Sequence, residues 1–311
     1  MLPDVQTLKT GFPPIDIEKV GVENIKAPLP VLMKNGGIQK CVANFSAYCS
    51  LEKEIKGINM SRIGRAISEL IKDTKTGYLN LSEFVYKLME YHQNEDSYIE
   101  AEFDYVVDKE TPVSKLPTTK PIHVKFVSDF KQNRLENLLQ VRSTEMSLCP
   151  CSKEMSLIKN LLTDVELELL HDLPEPLRGK ILESGYGAHN QKSIIDVTVE
   201  LNHERIYIED ILDIIEKSAS APTYTILKRE DEKYVTEVSY CGGVWGEQFV
   251  KVGGGPRFVE DIVRHAASSL NQLLDVKIND YKIIVRNQES IHCEDIQAAA
   301  ILTAKRKMLP V

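Results

Sequence analysis

Four short stretches of the chain concentrate the side chains that do chemistry. The first is Cys149-Pro150-Cys151-Ser152-Lys153, where flanking proline and polar residues give a thiol little packing value. The second is Gly185-Tyr186-Gly187-Ala188-His189-Asn190-Gln191-Lys192, the third Lys228-Arg229-Glu230-Asp231-Glu232-Lys233, and the fourth Asn287-Gln288-Glu289-Ser290-Ile291-His292. Thiolate, imidazole and carboxylate together suit a catalytic divalent metal, because three protein ligands leave a position open for water and the ion lowers that water's pKa toward neutrality.

Each stretch also has a plainer reading. A Cys-x-Cys pair is too tight for the usual structural zinc pair, and no second pair follows, so a finger is a poor account. Cys149 and Cys151 could instead be two buried thiols. His189 in a glycine-rich turn could be a surface histidine, and a charge run such as Lys228–Lys233 is usually a solvated face. Glu289 and His292 at a strand end could form a local hydrogen-bonded turn. Taken one at a time, none of the four is decisive.

Period-two alternation supplies the strands that would position these stretches. Cys41, Ala43, Phe45, Ala47 and Cys49 share one face, as do Ile99, Ala101, Phe103, Tyr105 and Val107, then Ile122, Val124, Phe126 and Phe130. Later come Ile195–Leu201, Tyr281–Val285 and Ala298–Leu302. The helical period appears between them at Ile63, Ile67, Leu70 and Ile71, and at Leu81, Phe84, Val85 and Leu88, where Asn80 and Glu83 give a capping-box-like start. It returns at Ile208–Ile215 and at Phe258–Leu270. The order is strand, strand, helix, helix, strand, strand, and then the same again, which predicts an α+β chain with antiparallel sheets in two halves, 1–135 and 136–311. The seam is expected near 131–142, and Thr111–Pro121 reads as a hairpin loop. Two segments look inserted: 154–183, helical in pattern but broken by Pro174 and Pro176, and 241–256, whose six glycines and sole tryptophan, Trp245, predict a mobile loop. Those glycines lack the Gly-x-Gly-x-x-Gly order of a dinucleotide fingerprint.

The bulk numbers narrow the function classes. At 311 residues the chain can bury a large core; 42% apolar and 27% charged residues make an ordinary globular balance. A net charge of −8 argues against a nucleic-acid-coating surface but leaves room for a local basic pocket that holds a phosphorylated small molecule. No apolar run approaches the length of a membrane span and the N-terminal residues do not read as an export signal, so a cytoplasmic protein is expected. The six cysteines (Cys41, Cys49, Cys149, Cys151, Cys241, Cys293) are then expected as reduced thiols, with Cys41 and Cys49 as core filler.

Taken together, the stretches resemble the type IB GTP cyclohydrolases, the family that includes archaeal enzymes forming a cyclic-phosphate pterin. The matching segments are Leu2–Gln6, Ile17–Val22, Lys56-Gly57 with Met60-Ser61-Arg62, Leu148–Glu154, Gly187–Gln191, Leu227–Lys233, Phe258–Asp261 and Glu289–His292, in the family's order from end to end. The cysteine, histidine and Lys-Arg-Glu-Asp-Glu motifs are the specific ones.

The resemblance implies a tunnelling fold with two modules per chain, joined edge to edge into a homotetramer. It implies a reaction in which water opens the imidazole ring of GTP at C8, formate leaves, and the skeleton recloses as a dihydropterin. By motif position, one divalent metal (Fe²⁺, Mn²⁺ or Zn²⁺) would be held by Cys149, His189 and a glutamate of the third stretch, Glu232 in preference to Glu230. Glu260 and His292 would act as acid/base or guanine-anchoring groups, with Cys149 also counted catalytic. Substrate would be bound by Glu289, Lys56, Ser61, Arg62, Lys153, Asn190, Gln191 and Lys192. The family usually has histidine where this chain has Asn59, and commonly arginine where it has Lys192; both positions lie among the expected phosphate contacts. The resemblance leaves open the linear triphosphate or cyclic phosphate as product, and a relative that binds a purine or pterin without turnover.

Overall fold

A computed structural model describes residues 5–9, 11–73, 81–92, 94–202, 205–241 and 254–304. Eight strands, β1 (Ile17–Leu32), β2 (Ile38–Leu51), β3 (Ser97–Glu110), β4 (Pro117–Lys131), β5 (Arg134–Leu148), β6 (Asn190–Leu201), β7 (Ile278–Gln288) and β8 (Gln297–Ala304), form one sheet in sequence order. Every neighbouring pair is antiparallel. Helices α1 (Met60–Asp73) and α2 (Leu81–His92) separate β2 from β3. Helices α6 (Ile208–Ser218), α7 (Arg229–Cys241) and α8 (Val259–Asn271) separate β6 from β7, and the short helices α3 (Pro150–Ser156), α4 (Asp164–Leu169) and α5 (Glu175–Leu182) lie between β5 and β6.

The expected strand–strand–helix–helix order is present in the first half; in the second, short helices intervene between β5 and β6, and among the described residues three helices instead of two separate β6 from β7, because the Lys228–Lys233 charge run opens α7. The α+β antiparallel class holds. Alternation explains why: the inward residues Phe45, Ala47, Ile99, Ala101, Val124, Val141, Val197 and Ile283 are fully buried, and the helix faces Ile63, Ile67, Phe84, Leu88, Ile211, Ile215, Ile262 and Leu270 close over them. One continuous core runs across both halves. The opposite face is mostly polar, carrying pairs such as Lys125–Glu100 at 2.6 Å and Arg142–Asp196 at 2.6 Å, with exposed Val42, Val106 and Ile301 among them.

The strands depart from the sequence pattern at four places. The region 131–142 is a tight hairpin and then strand, with Lys131 opposite Arg134, so the 135/136 boundary falls just inside β5. Strand β5 escapes the alternation rule because its inward row turns polar at Ser143, Glu145 and Ser147, all buried. Strand β1 escapes it because two bulges shift its register and Pro28 and Pro30 interrupt the pattern, which an edge strand tolerates. The Thr111–Pro121 loop is shorter than expected, since β4 begins at Pro117. Asn80 and most of the glycine-rich stretch, residues 242–253, lie outside the described residues.

The sheet has two ends. At one, β5 finishes at Leu148, β6 begins at Asn190 and β7 finishes at Gln288. At the other, β2 finishes at Leu51, β3 begins at Ser97 and β4 turns into β5.

Candidate active site

Strand register brings the first two stretches together. Leu148 pairs with Asn190 at the end of β5, and the backbone N–H of Cys149 then donates to the carbonyl of His189 at 3.1 Å. Cys149 is the N-cap of α3, with Pro150 at the first helical position, which suits a residue lacking an N–H. Its sulfur accepts the N–H of Ser152 at 3.4 Å, and the Ser152 hydroxyl accepts the N–H of His189 at 3.4 Å. The 154–183 segment leaves beside one residue and returns beside the other; its base is closed by an Ile158 N–H to Ser184 carbonyl bond of 2.8 Å. Gly185 packs against Ser156 so closely that a Cβ would lie 2.5 Å from its carbonyl oxygen. His189 Nδ1 lies 3.4 Å from the hydroxyl of Ser290, which directs its Nε2 away from that contact.

The fourth stretch joins the same end. Gln191 Nε2 donates to Glu289 Oε1 at 3.1 Å, and the N–H of Glu289 donates to the carbonyl of Ile296 at 3.1 Å, closing the β7–β8 turn that carries exposed His292. Asn190 and Lys192 are exposed on β6. Lys153 Nζ stands 4.9 Å above the ring of Tyr240 on α7. Arg257 donates its N–H to the carbonyl of Leu148 at 3.1 Å, so the first turn of α8, with exposed Glu260, starts beside the strand end that carries Cys149.

The third stretch opens α7 and divides its acidic residues by role. Asp231 is fully buried: one oxygen accepts the N–H groups of Val113 and Ser114, each at 2.9 Å, and the other accepts the Ser114 hydroxyl at 2.6 Å and the Lys228 N–H at 3.0 Å. Desolvation pushes its pKa up, but the Ser114 hydroxyl and these backbone donors outweigh it and hold the carboxyl well below the usual range. Glu230 and Glu232 on either side are exposed. Asp231 thus ties the β3–β4 hairpin of the first half to the helix that carries both glutamates.

Lys56, Ser61 and Arg62 are not brought to this end. They sit where β2 runs into α1, and Arg62 Nη1 donates to the carbonyl of Tyr91 at 2.6 Å, at the close of α2. Between them and Cys149 lies the length of a strand such as the 15-residue β5, about 50 Å at about 3.3 Å per residue.

For a metal, thiol and imidazole are the right donors: Cys149 is partly accessible and His189 has a ring nitrogen outside its Ser290 contact. Among the described residues no three His, Cys, Asp or Glu side chains are grouped to hold an ion, so Glu232 is not assembled with the pair within one chain. Sequence reasoning missed Asp231, Ser290 and Tyr240. Asp231 had a readable signal, because an acidic residue three positions after Lys228 at a helix start is N-terminal capping spacing; the other two contacts depend on tertiary placement.

Residues 2–298 match the family described as type I GTP cyclohydrolase folE2. A protein of Nitrosococcus oceani named GTP cyclohydrolase FolE2 is 34% identical over 289 residues, covering 93% of this chain and 91% of its own. One of Azoarcus sp. with the same name is 34% identical over 294 residues, covering 94% and 91%. Among solved structures, the uricase of Arthrobacter globiformis aligns with a TM-score of 0.54 at 6% identity, covering 94% of this chain and 95% of that one, a likeness of tunnelling fold alone. The chain belongs to the type I GTP cyclohydrolase folE2 family.

Proposed function

We propose that the chain is a GTP cyclohydrolase that opens the imidazole ring of the guanine by hydrolysis, releases C8 as formate and yields 7,8-dihydroneopterin triphosphate. The observation that carries this reading is the meeting of Cys149 with His189, and of Gln191 with Glu289, at one end of the sheet. A carboxylate offers two acceptors to the N1–H and 2-amino donors of guanine. Glu289 keeps lone pairs for them while Gln191 fixes its orientation. His292 and Glu260, exposed at the same end, supply the proton that the ring nitrogen takes as its bond to C8 breaks. Lys153, Asn190 and Lys192 provide donors for the sugar and phosphates.

Cys149 and His189 would hold one divalent cation, Fe²⁺, Mn²⁺ or Zn²⁺, with exposed Glu232 as the third ligand that binding must recruit from α7. When bound, such an ion supplies the Lewis acidity that makes water a nucleophile at neutral pH. The same reading makes the protein a cytoplasmic homotetramer. Lys56, Ser61 and Arg62, a strand length from Cys149 in their own chain, would serve the site of a neighbouring copy brought edge to edge. The alternative product is the 2′,3′-cyclic phosphate.

Formate release from GTP with added Mn²⁺ or Fe²⁺, compared between wild type and Cys149→Ala, tests the reaction. A wild type that releases none, or a mutant that is unaffected, would overturn it. The product's mass separates linear triphosphate from cyclic phosphate.

A further inference from the structure

One step inward from the site, the sheet carries a second row of polar side chains. Strand residues two apart share a face, so Ser147, Ser193 and Asn287 lie directly behind Cys149, Gln191 and Glu289. All three are buried, at 0%, 0% and 2% exposure. They are joined in one direction. The Ser193 hydroxyl donates to Asn287 Oδ1, Asn287 Nδ2 donates to Ser147 Oγ at 3.1 Å, and the Ser147 hydroxyl donates to the carbonyl of Arg257 at 2.9 Å. Arg257 extends the relay: its N–H returns to Leu148, and its Nη1 donates to the carbonyl of Lys217 at 2.7 Å, closing the end of α6. The N–H of Leu148 is taken in turn by Ser220 Oγ at 3.1 Å.

An apolar row could fill this space, as Val141, Ile195 and Val285 do deeper in the same face. A fully satisfied polar network does something apolar packing does not, which is to fix the register and azimuth of its members. Asn287 is its hub, the member that bonds to both other strands.

We propose that Asn287 is a positioning residue for the GTP site, holding Glu289 and the Cys149 turn in their working geometry through Ser147 and Ser193. The proposal rests on the reading of Glu289 as a substrate-binding residue. Asn287 itself is buried behind the site and acts only through its neighbours.

The test is Asn287→Leu, close in volume, assayed for formate release in the full-length protein. The expected result is a fall in kcat/KM for GTP of about 10- to 100-fold, the scale of a small misplacement of reacting groups. A double-mutant cycle supplies the readout that a bulk structural role would not move: in the Asn287→Leu background, Glu289→Gln should add little further loss. Additive losses, or unchanged kcat/KM per folded chain, would overturn the proposal. Where Asn287→Leu does not fold, Ser147→Ala cuts the relay one bond away and Ser147→Thr restores the hydroxyl. Loss in the first with rescue in the second supports positioning, and equal activity in the two overturns it. A wild type without formate release removes the GTP reading itself, whereas an active wild type with an unimpaired Asn287→Leu removes only the positioning.

Discussion

Cys149 and His189, far apart in sequence, are joined by a 3.1 Å hydrogen bond between their backbones, so neither can move from the strand end without the other. Their side chains are left for chemistry while the main chain does the holding. Replacing either side chain by alanine keeps that bond and removes a donor. Loss of a group that only orients a metal ligand costs about 10- to 100-fold in affinity or activity. Cys149→Ala and His189→Ala should therefore each lower formate release by at least about 100-fold while thermal melting changes little. Metal content by mass spectrometry should fall in both. Full metal occupancy in Cys149→Ala would remove it from the ligand set.

Asp231 predicts a different phenotype from its neighbours. Its carboxylate accepts four hydrogen bonds that tie the hairpin at Val113 and Ser114 to the start of α7. Asp231→Asn cannot accept at both oxygens, so the urea midpoint should drop, and Ser114→Ala in that background should cost less than it does in wild type. Glu232→Gln, at an exposed position, should leave the midpoint unchanged and lower activity instead. Equal midpoints for Asp231→Asn and wild type would show that the clamp contributes nothing.

How far all this could be read from the chain differs by element. Strands such as β2 and β3, with Phe45, Ala47, Ile99 and Ala101 alternating cleanly, were legible because a half-buried sheet imposes period two. Strand β5 was not, since its inward row at Ser143, Glu145 and Ser147 looks like solvent-facing sequence until Lys120, Asn287 and Arg257 are known to satisfy it. Among site residues, Cys149, His189 and Glu289 were legible as motifs, whereas the separation of Lys56, Ser61 and Arg62 from them was not. A motif records residue order, and which end of a strand a residue occupies is decided by topology.

The buried ion pair shows what a polar inward row costs. Lys120 Nζ lies 2.5 Å from Glu145 and 2.9 Å from Glu216, and Lys109 holds the other oxygen of Glu216. Desolvation pushes the Glu145 pKa up, against the opposing pull of Lys120. Removing one partner of a buried pair strands a charge and costs about 3–5 kcal/mol, while replacing both with apolar residues is often neutral or stabilising. Lys120→Met should be strongly destabilised in urea, and Lys120→Met with Glu145→Leu should recover most of the loss. A double mutant no better than the single would mean that Thr223, whose N–H donates to Glu145 at 3.0 Å, is the partner that matters.

Alkaline pH reads the core thiols. Desolvation raises the Cys49 thiol from 9.0 to about 11, and desolvation together with Asp104 raises Cys41 likewise to about 11. A folded-state pKa above the unfolded value means that the stabilising contribution is fully present below about pH 9 and lost as pH climbs toward 11. Urea midpoints should therefore fall between pH 9 and 11, and less steeply in Cys49→Ala, once its lower starting stability is allowed for. At pH 8, iodoacetamide should label exposed Cys151 and Cys293 quickly and leave Cys41 and Cys49 untouched in the folded protein. Rapid labelling of Cys49 under native conditions would mean that β1 and β2 open locally, since its thiol points at the carbonyl of Val20 across that strand pair.

The separation of the two residue sets gives the most direct test of assembly. If Lys56 and Ser61 serve a neighbour's Cys149, then Lys56→Ala/Ser61→Ala and Cys149→Ala are defects in different halves of one shared site. Each should be inactive alone. After the two are unfolded together and refolded as a mixture, about a quarter of the sites should combine two intact halves, as random pairing across a closed symmetric interface requires. Formate release near a quarter of the wild-type rate is the expected result. A mixture as inactive as its components would mean that Lys56 and Ser61 act within their own chain and not on a neighbour's Cys149, and activity of the Lys56→Ala/Ser61→Ala protein alone would show that they are not needed.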